Sequence, residues 1–198
     1  MAFAHIEKEP SRGGYMAVPQ EGSPFSIPSE LFVSNQLYIG QELSHEEFLH
    51  LKDLQEQHLC RMQAMTYLAR REHTAFELKV KLQRKSFSPR CIQTVLDVLK
   101  EENLLSEIRY ALQFIESRQR KNPEGRALMA QRLAAKGVER ESAERALDEL
   151  YTEEQIIDYV ERAYVLAVKK VGEEKARMVL AKKGFSSYEV RLGLESLI

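Results

Sequence analysis

The chain repeats itself. Leu82-Gln83-Arg84-Lys85-Ser86-Phe87, Leu133-Ala134-Ala135-Lys136-Gly137-Val138 and Leu180-Ala181-Lys182-Lys183-Gly184-Phe185 share one pattern: a leucine, two residues, a lysine, a small residue, an apolar one. The copies lie 51 and 47 residues apart. A period of that size marks an array of small supersecondary units. The match extends outward. Ten residues after each leucine stand Ile92, Ala143 and Val190, and fourteen after stand Leu96, Leu147 and Leu194. Seventeen after stand Leu99, Leu150 and Leu197, and four before stand Leu78, Met129 and Ala176. Spacings of three and four put these positions on one helical face.

One unit can be built from this pattern. A helix ends at Lys-Gly, where glycine accepts the left-handed geometry and lysine faces the negative helix end. Ser86 replaces glycine in the first copy, which predicts a weaker stop. A polar cap follows, Ser88 before Pro89 or Ser186/Ser187, and opens a helix of about ten residues. Another helix precedes each Lys-Gly helix: Leu59–Arg71, Glu107–Gln119 and Glu153–Lys169. Thr74 (with Glu77 three residues on), Ser106 and Thr152 look like helix starts. The expectation is an all-α fold of three tandem three-helix repeats, at 58–105, 106–151 and 152–198. Units this small bury their apolar faces only by stacking, which predicts an elongated, curved array.

A short N-terminal extension precedes the repeats. Residues 1–28 hold four of the six prolines. They read as a mobile or hairpin-like segment: 1–13 mobile, with Tyr15–Val18 pairing with Phe25–Ile27 across Pro19–Pro24. Residues 29–57 read as a helical lead-in. Ser29 is expected to cap a short helix, Glu30–Gln36, and Ser44 a second one with Glu46 and Glu47 in its first turn.

Composition excludes several classes. No run of 18 apolar residues exists, so no membrane span is expected. The N-terminus lacks a basic-then-apolar signal pattern. Two cysteines, Cys60 and Cys91, do not make a disulfide framework and read as reduced thiols of a cytoplasmic protein. His45 and His50 have no carboxylate or cysteine at metal-ligand spacing, and Gly13-Gly14 is followed by Tyr15 rather than by a phosphate-binding lysine. No catalytic constellation, metal or cofactor is expected, so the chain reads as a non-enzyme.

The charge is uneven. The net charge is −1, yet residues 61–138 carry 16 basic and 8 acidic side chains. Two readings stand: a surface for an anionic partner, or solvated helix faces with an uneven spread. The candidate partner-binding or DNA-binding residues are Arg70, Arg71, Lys81, Arg84, Lys85, Arg118, Arg120, Lys121, Arg126, Arg132 and Lys136. Lys85 and Lys136 also suit a plain role at a helix C-terminus, as does Lys183. Phe76, Phe87, Phe114 and Tyr110 fall near apolar stripes, which argues against base stacking.

The same residues resemble the RecX family. Tyr67-Leu-Ala-Arg-Arg-Glu-His-Thr-Ala-Phe-Glu-Leu-Lys-Val-Lys-Leu looks like its signature, through Leu68, Arg71, Thr74, Glu77, Leu78 and Leu82. Arg109-Tyr-Ala, Phe114-Ile115, Arg118, Gly125 and Leu133-x-x-Lys136-Gly137 match its second unit. Ser86 stands where glycine is usual, and Glu107 where aspartate is. The resemblance implies a monomeric modulator that lies along the RecA–single-stranded DNA filament and suppresses ATP hydrolysis and strand exchange. Direct binding of single- or double-stranded DNA is the companion expectation, and a helical-repeat DNA-binding protein with no recombinase partner is the alternative.

Overall fold

The computed structural model describes residues 2–9 and 14–195. It is 66% helical. The chain divides into two compact units: Met1–Thr66 with Lys81–Val98, and Tyr67–Val80 with Leu99–Ile198.

The first unit contains a four-stranded antiparallel sheet of order β3-β2-β1-β4. Its strands are β1 (Ala4–Lys8), β2 (Tyr15–Pro19), β3 (Phe25–Ile27) and β4 (Glu42–Leu43). β2 pairs with β3 in the register Tyr15↔Ile27 and Ala17↔Phe25. β1 was not legible in the sequence, which put 1–13 among mobile residues; positions 1 and 10–13 lie outside the described residues. In Ala4-His-Ile-Glu-Lys8 the two small apolar residues alternate inward, and pairing with both Ala17 and the distant Leu43 makes them a strand. Ala4, Ile6, Ala17, Ile27 and Leu43 form a core with Phe48 and Leu51 of the following helix. That core fixes the sheet to the helical part of the unit, and Gln55 adds a 2.6 Å hydrogen bond to the Ser26 carbonyl.

Ten helices follow among the described residues. They are α1 (Ser29–Ser34), α2 (His45–Leu68), α3 (Ala75–Gln83), α4 (Pro89–Glu101) and α5 (Glu107–Lys121), then α6 (Arg126–Ala135), α7 (Arg140–Leu150), α8 (Glu153–Val171), α9 (Glu173–Lys182) and α10 (Ser187–Glu195). Two expectations are corrected. Ser29 lies inside α1, and Pro28 takes the cap position. The helix expected at Leu59–Arg71 begins at His45 and ends at Leu68, because Ser44 and Glu47 form a reciprocal cap upstream and nothing interrupts the chain between. The other starts follow the sequence. Thr74 accepts the Glu77 N–H at 3.0 Å, Ser88 that of Cys91 at 3.3 Å, Ser106 that of Arg109 at 3.3 Å. Thr152 forms a capping box with Gln155.

The helix stops are left-handed in all three copies: Ser86 has φ +65°, Gly137 +75° and Gly184 +80°. The wrap is the same in the last two, where the Val138 N–H bonds the Leu133 carbonyl and the Phe185 N–H that of Leu180. The equivalent leucines Leu82, Leu133 and Leu180 are each fully buried. So are Leu78, Met129 and Ala176 four residues earlier. Leu133 and Leu180 share one core in the second unit with Ile115, Leu147 and Val160. Leu197 lies outside the described residues.

Candidate functional site

Carboxylates at helix starts set the frame of the site. Glu56 of α2 accepts the Ser88 N–H at 2.6 Å and its hydroxyl at 3.0 Å, at the start of α4. In the second unit, Glu107 of α5 accepts the Ala75 N–H at 2.7 Å, at the start of α3. Glu189 of α10 receives Arg126 N–H at 3.3 Å, at the start of α6, and Ser186 N–H at 2.6 Å. Helix N-termini favour negative charge, and charged hydrogen bonds are the stronger ones. Burial pushes the Glu107 carboxyl up, and the Ala75 N–H opposes that shift in part.

A second carboxylate, Glu124, is 2% exposed and enclosed by cations. Arg132 grips it with two bonds, at 2.5 and 2.9 Å, and Arg118 adds a third at 2.5 Å. Gln119 and Glu124 are joined through side chain and backbone, at 2.7 and 2.8 Å, and the Tyr151 hydroxyl donates to the Glu124 carbonyl at 3.0 Å. Burial drives the Tyr151 phenol strongly upward, so it stays a donor. Both Glu124 oxygens are bonded in this interior network, while Arg118 Nε is buried without a hydrogen-bond partner; such networks fix one geometry.

A cleft of about 300 Å³ is lined by Arg71, Glu72, Glu77, Tyr110, Phe114 and Lys136, with Gln113 and Ser117. Arg71 pairs with Glu77 at 2.9 Å and Lys136 approaches the same carboxylate at 4.0 Å. Arg109 pairs with Glu72 at 2.8 Å. The Tyr110 phenol is pushed up to about 12, by burial first and by the Glu77 charge second. Several residues that carry the family resemblance therefore converge here from α3, α5 and the end of α6, although they are scattered in the sequence.

The eleven candidate cations differ in what surrounds them. Arg71, Arg118, Arg126 and Arg132 are engaged within the chain; Arg126 bridges Glu144 and Asp148, both at 2.8 Å. Lys136 caps α6 beside Glu77. Lys81 is half-buried. Arg70, Arg84, Lys85, Arg120 and Lys121 are exposed and take part in no ion pair among the described residues. Charge also groups differently in space than along the chain. Lys183 of the third repeat reaches the end of α5, donating to Asn122 at 2.6 Å and to the Pro123 carbonyl at 3.1 Å. Burial lowers its pKa, the Glu124 charge opposes that, and the Lys170 and Arg118 charges add to the lowering. The basic middle thus continues into the third repeat.

Sequence reading missed Glu56, Glu107, Glu124 and Glu189. A signal existed for two of them: Glu56 and Glu107 are separated by the same 51 residues as Leu82 and Leu133. One of the expectations on rings also changes. Phe76 is 57% exposed rather than part of an apolar stripe. His73 is buried, with Nδ1 2.9 Å from the Arg71 carbonyl. No described helix is long and apolar enough to cross a membrane.

Comparison with known proteins agrees with this architecture. Residues 60–99 match the family model described as RecX, first three-helix domain, and residues 106–147 the model described as RecX, second three-helix domain. The chain is 33% identical to a regulatory protein RecX of Prosthecochloris aestuarii over 68% of its own length and 91% of the relative's. It is 36% identical to one of Pseudomonas fluorescens over 64% and 83%. A match to that of Streptococcus sanguinis runs the whole chain at 25% identity and covers 77% of the relative. In fold, it is similar to a crystal structure of regulatory protein RecX, with a TM-score of 0.79, 19% identity, and 98% and 100% of the two chains covered. The RecX structure from Lactobacillus salivarius gives a TM-score of 0.65 over 73% and 97%. With two family domains in order, the repeat continuing into a third copy, and a relative 33% identical covered over 91% of its length, this chain belongs to the RecX family of regulatory proteins.

Proposed function

We propose that this protein binds the RecA–single-stranded DNA filament and lowers its ATP hydrolysis and strand exchange by occupancy rather than by chemistry. Family membership supports the partner. The single structural observation that supports the mode of binding is that Arg70, Arg84, Lys85, Arg120 and Lys121 are each exposed and take part in no ion pair among the described residues. Cations without an internal carboxylate keep their full charge for a polyanionic partner, whereas Arg118 and Arg132 spend theirs on Glu124. In this reading the protein acts as a monomer in the cytoplasm and needs no cofactor.

The test is ATP turnover of a preformed recombinase filament titrated with the protein. Turnover should fall in proportion to sites filled. A variant with Arg84, Lys85, Arg120 and Lys121 changed to Glu should bind more weakly, mostly through association rate, with a larger loss at low salt. Unchanged turnover at saturation would remove the reading. The second reading, a DNA-binding helical repeat that needs no recombinase, rests on the same cations; equal affinity for bare and recombinase-coated strands would favour it.

A further inference from the structure

Phe76 occupies an unusual place. Its ring is 57% exposed on α3, yet its base is seated on the turn that ends α6. A Cβ built on Gly137 would lie 2.6 Å from Phe76 Cβ and 2.8 Å from its Cγ. Gly137 is thus required by its φ of +75° and by the ring above it. A lone apolar residue on a surface is ordinary. A ring held in place by a glycine turn, with one part buried and the rest open, is a preorganised surface for a planar group.

Its charged surroundings identify the group. Lys79 follows one turn along the same helix face and is exposed. Lys136 precedes Gly137, and its side chain is 46% exposed. Of the nearby carboxylates, Glu77 is matched by Arg71 at 2.9 Å and approached by Lys136 at 4.0 Å, and Glu107 is turned inward onto the Ala75 N–H at 2.7 Å. An open aromatic ring beside two lysines meets the two chemistries of a single nucleic-acid strand: a base with a π-face and phosphates on either side. A duplex hides its base faces, and an acidic side chain offers the ring no aromatic face to stack on.

We propose that Phe76 is a stacking site for an unpaired nucleobase, with Lys79 and Lys136 taking the adjoining phosphates. The inference deepens the DNA-binding reading by assigning a stacking residue to it, and it is independent of filament inhibition because it requires only the chain and a single strand. Contact there is tolerant of sequence, since every base presents a face to stack.

The chain contains no tryptophan, so Phe76→Trp gives a single-site reporter. Its emission should be quenched by an oligothymidylate and left unchanged by an abasic strand of equal length, by a duplex, or by polyglutamate. Phe76→Ala should weaken oligothymidylate binding roughly tenfold, in line with loss of one stacked base, while binding of the abasic strand stays within about twofold. Lys79→Glu should weaken both strands alike. Phe76 is exposed, so the variants should fold; the Trp reporter reads the site even if the alanine variant is destabilised. Equal affinity of Phe76→Ala and the parent protein for oligothymidylate overturns the proposal. So does equal quenching by the abasic strand, failure of the parent chain to bind oligothymidylate, or quenching by polyglutamate, which would give the surface to an acidic protein. None of these outcomes changes the filament ATPase result, so the two readings fail separately.

Discussion

The Thr74 hydroxyl donates to the Lys136 carbonyl at 3.0 Å, across 62 residues of chain. Lys136 ends the second helix of the second repeat, and Thr74 caps the second helix of the first. One repeat later the same position is Gly125, whose N–H bonds the Lys183 carbonyl at 2.9 Å. Each Lys-Gly stop therefore leaves a carbonyl to receive the start of the previous repeat's helix. The motif that identifies the repeat in the sequence is also its joint.

The joint depends on left-handed turns, and one of them is occupied by a residue poorly suited to it. Ser86 holds φ +65° where the other copies have glycine. Ser86→Gly should stabilise the protein by about 0.5–1 kcal/mol, the strain relieved less the added freedom of the unfolded chain. Gly137→Ala should destabilise it by more than that, since strain adds to a clash with Phe76. Urea midpoints of the two variants should move in opposite directions.

Glu124 is expected to be the most sensitive polar residue. Glu124→Ala leaves Arg118 and Arg132 facing each other without their shared anion. Breaking a wholly buried pair costs about 3–5 kcal/mol. Here the arginine side chains are 35% and 38% exposed and regain some water, so about 2–3 kcal/mol is expected. Chemical denaturation measures it, and a loss below about 0.5 kcal/mol would contradict the network.

Glu107 predicts a pH effect. Its carboxyl is held above the ordinary value of 4.5 by burial, the largest influence. The folded chain therefore keeps this proton more tightly than the unfolded one. Its contribution is fully present below about pH 4.5 and is lost as pH rises through the raised value. Glu107→Gln keeps an acceptor for the Ala75 N–H and does not titrate. The variant's melting temperature should fall less than the parent's between about pH 4.5 and neutrality. Parallel profiles would show that Glu107 ionises as freely in the fold as in solution.

The three equivalent leucines give a test of the repeat itself. Leu82, Leu133 and Leu180 are all fully buried. Truncating any one to Ala should cost about 2–5 kcal/mol. Native-state hydrogen exchange should place the loosening near the altered repeat, as expected for an array stabilised by neighbours. Unchanged melts for all three would contradict the alignment.

Much of this protein is decided locally and can be read from the chain. The leucine spacing, the Lys-Gly stops and the caps at Thr74, Ser88, Ser106 and Thr152 act within one or two helical turns, so their residue types alone determine where helices start, stop and face. The repeat and the family resemblance follow from them. Other features depend on partners distant in sequence. Ala4–Lys8 is a strand only because Ala17 and Leu43 complete its hydrogen bonds and core. Arg118 and Arg132 look like surface cations until Glu124 folds between them, and Phe76 looks like core until Gly137 is placed beneath it. Residue type determines whether a side chain carries charge or an apolar face; whether that charge is spent internally or left for a partner depends on which other residues the tertiary fold brings within a few ångströms, and no local pattern encodes that.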